Sequence, residues 1–442
     1  MSTSVAPAPK RGGDWLQEWD PATNWDSGRA WKTLWITTFN LTLAFVTWFL
    51  VSAIAPQLNY IGFELSQSQL YWLTAMPGLA GGSLRLVWMF LPPILGTRKL
   101  VWMSTVLLLI PLVGWALAVQ NPDTSFTVLL VLAALAGIGG GVFSGFMPST
   151  SYFFPKAKQG TALGVQAGIG NFGVSLVQFV TPWIIGFGLI GGAQAFSNPD
   201  KGIEKQVWYQ NAGYIWVPFV ILGVILAYTM LKSVPVQARG VKDQLDIFSN
   251  KHTWLMTLLY IITFGTFSGL AAQFALLIKN LYGTPFGTQG IVAVSYAFLG
   301  ALIGSAARVL AGPIADRLGG AKVTLVAVIG IGLSALYTSF QLSPTSVDQF
   351  PKFLWGMLAI FFFTGVGNAS TFKQMPMIFE PRQAGGVIGW TAAIAAFGPF
   401  VFGVMFATGN TQLLYWLGTF TCVIGAGITW WFYARPGAEK PS

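Results

Sequence analysis

Two arginines interrupt otherwise apolar stretches: Arg85 in "GLAGGSLRLVWMF" (Gly78 to Phe90) and Arg308 in "IGSAARVLAGPIADRL" (Ile303 to Leu318). A charge at the centre of a membrane helix costs at least about 2.5–3.5 kcal/mol, so it normally faces a protein interior or a watery cavity and has a partner. None of the 14 acidic residues can serve, because all fall in tails, in loops or at the ends of apolar runs. Either each guanidinium snorkels or bonds backbone carbonyls, or the missing counter-ion is an anion that comes and goes. Two guanidinium forks suit a planar oxyanion, since each can donate to two oxygens in one plane.

The elements that must hold these arginines are membrane helices. The 442-residue chain is 54% hydrophobic and 9% charged, against about 25% charged in ordinary soluble domains. Apolar runs long enough to span a bilayer occur near 33–55, 68–93, 100–119, 126–150, 160–185, 212–231, 253–278, 289–313, 322–341, 353–379, 384–407 and 412–433. The expected fold is therefore an all-α membrane protein of twelve helices. Its divisions are a tail at 1–32, six-helix halves at 33–231 and 253–433, a linker at 232–252 and a second tail at 434–442. With both termini on the cytoplasmic side, 17 of the 24 Lys and Arg residues lie inside, Lys201, Lys205, Lys279 and Lys352 lie outside, and Arg85, Arg308 and Lys373 lie within spans. That asymmetry is the positive-inside pattern. It accounts for the formal charge of +10 without nucleic acid, and it points to a bacterial inner membrane. The polar, Trp-rich first 30 or so residues have no signal-peptide core and read as a cytoplasmic, membrane-skimming tail.

The halves repeat. "GGSLRLVWMFLPPILGTRK" and "IGSAARVLAGPIADRLGGAK" align with Gly81 on Gly304, Arg85 on Arg308, Gly96 on Gly319 and Lys99 on Lys322, at an offset of 223. Further on, Gly139 matches Gly367 at 228, and Gly160, Gly164 and Gly173 match Gly385, Gly389 and Gly398 at 225. Pseudo-symmetric halves place a substrate site between them near the midplane. The arrangement resembles the major facilitator superfamily, and "GPIADRLGGAK" (Gly312 to Lys322) resembles that superfamily's loop between the second and third helices of a half. The resemblance makes Asp316 and Arg317 a conformational latch.

In "QGTALGVQAGIGNFGVSLVQ" (Gln159 to Gln178), Gly160, Gly164 and Gly168 form a small-residue stripe on which another helix can lie closely. Asn171 shares the stripe, either cross-bonding helices or donating to a substrate oxygen. "AGIGNFG" (Ala167 to Gly173) resembles the first signature of the nitrate/nitrite porter family, and "GGVIGWTAAIAAFGPF" (Gly385 to Phe400) the second. The likeness also covers "SYFFPKAKQGTALG" and "LLYIITFGTFSGLAAQFALL", and so nearly the whole chain. It implies nitrate and nitrite as substrates, Arg85, Arg308, Asn171 and Tyr260 as binding residues, and Phe143 and Phe264 as rings that sandwich the anion. From residue type alone those phenylalanines read as core. Gly164, Gly168, Gly170, Gly173, Gly389 and Gly398 are the expected hinge or packing positions. Ala393, Ala395 and Ala396 stand where glycines are more usual, which implies an eleventh helix that bends or slides less freely.

Lys373, in "GNASTFKQMPMIF" (Gly367 to Phe379), is the third intramembrane cation. It either snorkels or loses and regains a proton. Arginines alone make an empty site self-repelling, which favours obligatory nitrate/nitrite exchange. A lysine that takes up a proton with nitrate would let the empty carrier return. Family members with a lysine here are regarded as proton-linked, so nitrate/proton symport is the favoured expectation and nitrate/nitrite antiport, or nitrite export, the alternative. An enzyme is disfavoured by the lack of paired carboxylates or a Ser/His set in the spans. A channel has no need of two rocking halves, and a sensor would bind without transport. One histidine, His252, and one cysteine, Cys422, leave little for a metal site, and no cofactor is expected. Lipid is the expected surrounding, another small anion the runner-up substrate, and a monomer the expected state.

Overall fold

The computed structural model describes residues 13–16, 18–235 and 245–442. The basic residues Lys10, Arg11, Arg239 and Lys242, which the sidedness argument counts, lie outside the described residues. So does the middle of the expected linker.

Among the described residues, twelve long helical regions are present. They are α1 (Ser27–Ile54), α2 (Gln67–Trp88), α3 (Pro92–Ala118), α4 (Phe126–Ser151), α5 (Lys156–Ile184), α6 (Asn211–Met230), α7 (Lys251–Gln289), α8 (Ala297–Leu318), α9 (Gly320–Ser339), α10 (Phe350–Ile378), α11 (Gln383–Ala407) and α12 (Thr411–Ala434). Eleven of these regions are long and apolar enough to cross a membrane, and α2 falls short of that mark. It has 22 residues, but Gln67, Gln69, Arg85 and its glycines dilute it.

The repeat seen in sequence is also a repeat of backbone. Gly96 and Gly319 both have positive φ, 71° and 93°, which residues with a Cβ avoid. Gly319 turns the chain from α8 into α9, and Gly96 makes the matching kink just inside the start of α3. Gly139 packs on α1 at Ala44, and its counterpart Gly367 on α7 at Thr263. Gly173 packs on the carbonyl of Thr42, and Gly398 on that of Gly265. Neither carbonyl leaves room for a Cβ.

Several expectations need correcting. Residues 89–91 leave α2 ahead of Pro92 and Pro93, so Arg85 sits in the last turn of its helix, not at mid-span. α8 runs on to Leu318, so Asp316 and Arg317 are helical rather than in a loop. The all-α expectation has one exception, an antiparallel hairpin of β1 (Gln194–Asn198) and β2 (Ile203–Val207) between α5 and α6. The described part of the N-terminal tail packs on protein instead of skimming. Leu16 N donates to Ser233 O at 2.8 Å, and the indoles of Trp19 and Trp25 donate to the carbonyls of Tyr152 and Phe153. Both tails lie on one side, called here the terminal side, since Ser442 meets Gln374 at 3.0 Å beside the turn between α8 and α9.

The opposite side, the far side, is sealed between the halves. Gln178 donates to Ala271 O at 2.8 Å, Asn280 to the Tyr71 hydroxyl at 3.0 Å, and Thr74 bonds Gln273. On the terminal side, a Cβ added at Gly160, Gly164, Gly312 or Gly385 would meet nothing within 4 Å. Open space therefore lies beside these glycines, and the expected close-packed stripe of α5 is covered only from Gly168 inward, where Val309 lies against it.

Because Gly173 and Gly398 face backbone carbonyls, Gly173→Ala and Gly398→Ala should each destabilise the protein by about 1–3 kcal/mol, the range for overpacking. Gly427→Ala, which faces open space, should be neutral. The buried single cysteine, Cys422, makes thermal unfolding in detergent readable with a thiol-reactive fluorophore.

Candidate functional site

Arg85 is fully buried. Its Nε donates to Gly140 O on α4 at 2.9 Å and its Nη1 to Ala392 O on α11 at 2.7 Å. Nη2 is buried without a protein partner. Glycines make this placement possible: Gly78 and Gly82 lie against Pro399, Phe400 and Phe397 of α11, while Gly81 and Gly140 make room for the Trp48 indole. α11 offers its carbonyl beside a break. Pro399 has no N–H to give Ala395, and the Phe397 N–H reaches back to Ile394 at 3.2 Å, a tighter turn than the α-helical one. The break forms despite the alanines that stand for glycines here.

Aromatic faces complete the surroundings of Arg85. Its guanidinium carbon is 4.5 Å from the Phe143 ring centre, 5.2 Å from that of Phe264 and 5.2 Å from that of Trp48. Phe143 and Phe264 face each other at 6.5 Å with 23° between their planes. The guanidinium lies beside the line joining them, because its two distances together exceed the ring separation. The rings thus form the walls of a slot and Arg85 one end of it. Phe264 owes its aim to a π-helical turn, Ile261–Gly265. The extra residue lets Tyr260 and Phe264 stack at 5.4 Å, only 5° from parallel.

Arg308, 3% exposed, approaches from the other half with its guanidinium carbon 5.2 Å from the Phe372 ring centre and Nη1 without a protein partner. Phe372 also touches Phe143 and Tyr260. The hydroxyl of Tyr260 lies within the electrostatic reach of both arginines, which also act on each other. Among the described residues, neither arginine is ion-paired. The structure thus brings Arg85, Arg308, Tyr260, Phe143 and Phe264 together through direct contacts. Asn171 lies one turn beyond Gly168, whose neighbour is Val309, next to Arg308. Its amide is buried with neither nitrogen nor oxygen bonded. An orphaned buried polar group costs about 1–3 kcal/mol, so the unbonded atoms clustered on Arg85, Arg308 and Asn171, with Tyr260 interacting with both arginines, fit a place for a polar ligand.

Lys373 does not join them. Its Nζ is 2.6 Å from Asp316 on α8, and both side chains are substantially exposed on the terminal side. Of the two readings of Lys373, its exposed position fits the snorkelling one. The pair ties α10 to α8 within one half. Arg317 has no ion pair among the described residues.

Sequence reasoning missed Trp48, Phe372 and Asn368. Asn368 is buried with both amide atoms unbonded, one turn before Phe372 on α10. A signal for it existed in the repeat: at the offset of 228 it corresponds to Gly140, the residue that accepts from Arg85.

Comparison with known proteins agrees with this geometry. Residues 37–395 match the Major Facilitator Superfamily. The chain is 62% identical over 97% of its length and 98% of the relative's to the "probable nitrate/nitrite antiporter NarK2" of Thermus thermophilus. It is 35% identical, over 95% and 96%, to the "nitrate/nitrite transporter NarU" of Salmonella typhimurium. The chain belongs to the nitrate/nitrite porter family of the major facilitator superfamily. Its family is one of transporters, not enzymes, and the chain is an integral membrane protein. The fold also superposes on a D-xylose-proton symporter, with a TM-score of 0.70 at 17% identity over 91% of this chain and 97% of that one.

For this member of the porter family, Arg85→Lys and Arg308→Lys should each weaken binding of a small planar oxyanion at least about tenfold. A lysine lacks the planar fork that donates two parallel bonds to an oxyanion, and a charged hydrogen bond is worth about 1.5–3 kcal/mol. Phe143→Leu should weaken nitrate more than a tetrahedral anion by opening the slot. Isothermal titration calorimetry of the detergent-solubilised protein measures both.

Proposed function

We propose that this chain carries nitrate and nitrite across a bacterial inner membrane by alternating access, with its terminal side in the cytoplasm. The observation that carries the proposal is the slot between two near-parallel rings, whose centres are 6.5 Å apart, flanked by guanidinium groups from opposite halves that have no ion pair among the described residues. A trigonal oxyanion matches it in charge, flatness and acceptor number. Orientation is supported by the distribution of Lys and Arg, and the bonds across the far side then describe a form closed to the outside. Each chain holds both halves of the site, so one chain suffices for transport.

Exchange of nitrate for nitrite is the coupling mode that the geometry favours. No carboxylate or imidazole lies against the guanidinium groups, and the Lys373 ammonium has its counter-charge on Asp316, away from the slot. An empty site then holds two like charges in a space of low dielectric, and closing around them is unfavourable until an anion arrives. Proton symport is the second reading. It is favoured by the position of the Lys373–Asp316 pair at the cytoplasmic mouth, where opening of the pair would expose a proton-binding amine as α8 and α10 move. The relatives' names include both an antiporter and transporters without a stated partner.

Proteoliposomes separate these readings. Under exchange, labelled nitrate enters only vesicles preloaded with nitrite or nitrate, the outside pH stays constant, and Lys373→Gln keeps more than half the rate. Uptake into anion-free vesicles, with external alkalinisation that Lys373→Gln abolishes, would establish symport instead. No nitrate or nitrite movement in either arrangement would overturn the transport proposal.

A further inference from the structure

Four basic residues fall on the far side by sequence, and two of them converge at one hollow between the halves. This hollow, small at about 40 Å³, is lined by Pro56, Tyr60, Asp200, Lys201, Lys279 and Thr284 among others. Lys201 is delivered by the tight turn of the β1–β2 hairpin, in the N-terminal half. Its Nζ donates to the carbonyls of Thr288, at 2.6 Å, and Gly290, in the C-terminal half. Lys279, on α7, reaches the opposite way. Its Nζ donates to Pro56 O at 2.7 Å and stands 4.4 Å from the Tyr60 ring centre. Each half thus lends one lysine to backbone carbonyls of the other. Carbonyls satisfy N–H groups but leave the charges in place. Asp200 acts electrostatically on Lys279, yet neither lysine is ion-paired among the described residues, so the hollow holds two ammonium groups against one carboxylate.

Alternating access requires these reciprocal ties to break together, since each spans the seam that opens. Breaking them releases two lysines that the carbonyls no longer hold, at the rim of the passage to the central slot. We infer that Lys201 and Lys279 form a second, outer anion site, a vestibule for small monovalent anions that exists only when the far side is open. In the sealed form the lysines are clamps. In the open form they concentrate anions at the mouth, and an anion there competes with the carbonyls for the ammonium groups and so delays resealing. This inference rests on the transport proposal above.

The test is nitrate transport by proteoliposomes across ionic strengths, comparing the unaltered chain with Lys201→Gln/Lys279→Gln and with Lys201→Arg/Lys279→Arg. Electrostatic capture is screened over a Debye length of about 10 Å at 0.1 M salt. The unaltered chain should therefore lose kcat/KM as salt rises. The glutamine pair should show kcat/KM lower by about tenfold at low salt and flat across the series, with calorimetric nitrate affinity at the central slot unchanged. The arginine pair should restore the salt slope. A glutamine pair that changes only the maximal rate, leaving the salt slope intact, would make the lysines clamps alone and overturn the vestibule. So would a glutamine pair indistinguishable from the unaltered chain. Absence of nitrate transport by the unaltered chain would overturn the transport proposal and the vestibule with it.

Discussion

Two guanidinium groups buried between the halves with no carboxylate to neutralise them constrain everything else in this protein. Burying even one such charge is unfavourable, and each here is made tolerable by different means. Arg85 spends two donors on the carbonyls of Gly140 and Ala392, which fixes the fork and leaves Nη2 aimed elsewhere. For that, α2 must approach α11 closely enough to need glycine at 78 and 82, and α11 must break ahead of Pro399. The π-helical turn of α7 brings Phe264 to the same point. Irregular backbone within a membrane is tolerated where it is buried in protein or lines a cavity, and here the irregularities converge on the arginines.

The halves share a skeleton but differ in how they hold their arginines. Positive φ at both Gly96 and Gly319, and the matched packing of Gly139 with Gly367 and Gly173 with Gly398, give each half the same scaffold. A carrier whose halves are alike can rock between two forms of similar energy, and what distinguishes the forms must then lie at the rims. The far rim is closed by hydrogen bonds that cross between halves. On the terminal rim, the Lys373–Asp316 pair lies within one half and so does not itself hold the two halves together. Sealing one side by bonds that must all break together makes opening cooperative, which guards against a passage open at both ends.

Twelve spans, the repeat and the paired arginines were legible in the sequence because each leaves a one-dimensional trace: hydropathy, spacing, or a charge where none belongs. Asp316 and Lys373 were both visible, but nothing in their spacing says that α8 and α10 lie side by side, so the pair itself was not legible. Phe372 is one aromatic among 35 phenylalanines, and only packing separates it from lipid-facing or core rings. The hairpin that delivers Lys201 is short, polar and between spans, where hydropathy carries no signal. The π-helical turn arises from tertiary packing around Tyr260 and Phe264 and has no trace in residue type. Phe143 and Phe264 became site residues through resemblance, and the 6.5 Å facing of their rings gives the resemblance a physical content.

Rings, rather than acids, beside an arginine solve a problem that every carrier of anions has. A carboxylate 4 Å from Arg85 would attract it by about 4 kcal/mol at an effective dielectric of 20, and it would never leave. The substrate would then compete with a permanent partner at high local concentration. A ring face attracts a guanidinium by about 0.5–2 kcal/mol, enough to offset part of the desolvation without cancelling the charge. Three rings lie within 5.2 Å of Arg85 and one within that distance of Arg308. The positive potential therefore survives for a transient anion, and two of the same rings set the thickness that the anion must have. Charge selection and shape selection thus come from one set of side chains. Because no acid competes, release to the other side requires only that the slot open to water, where hydration replaces the guanidinium forks.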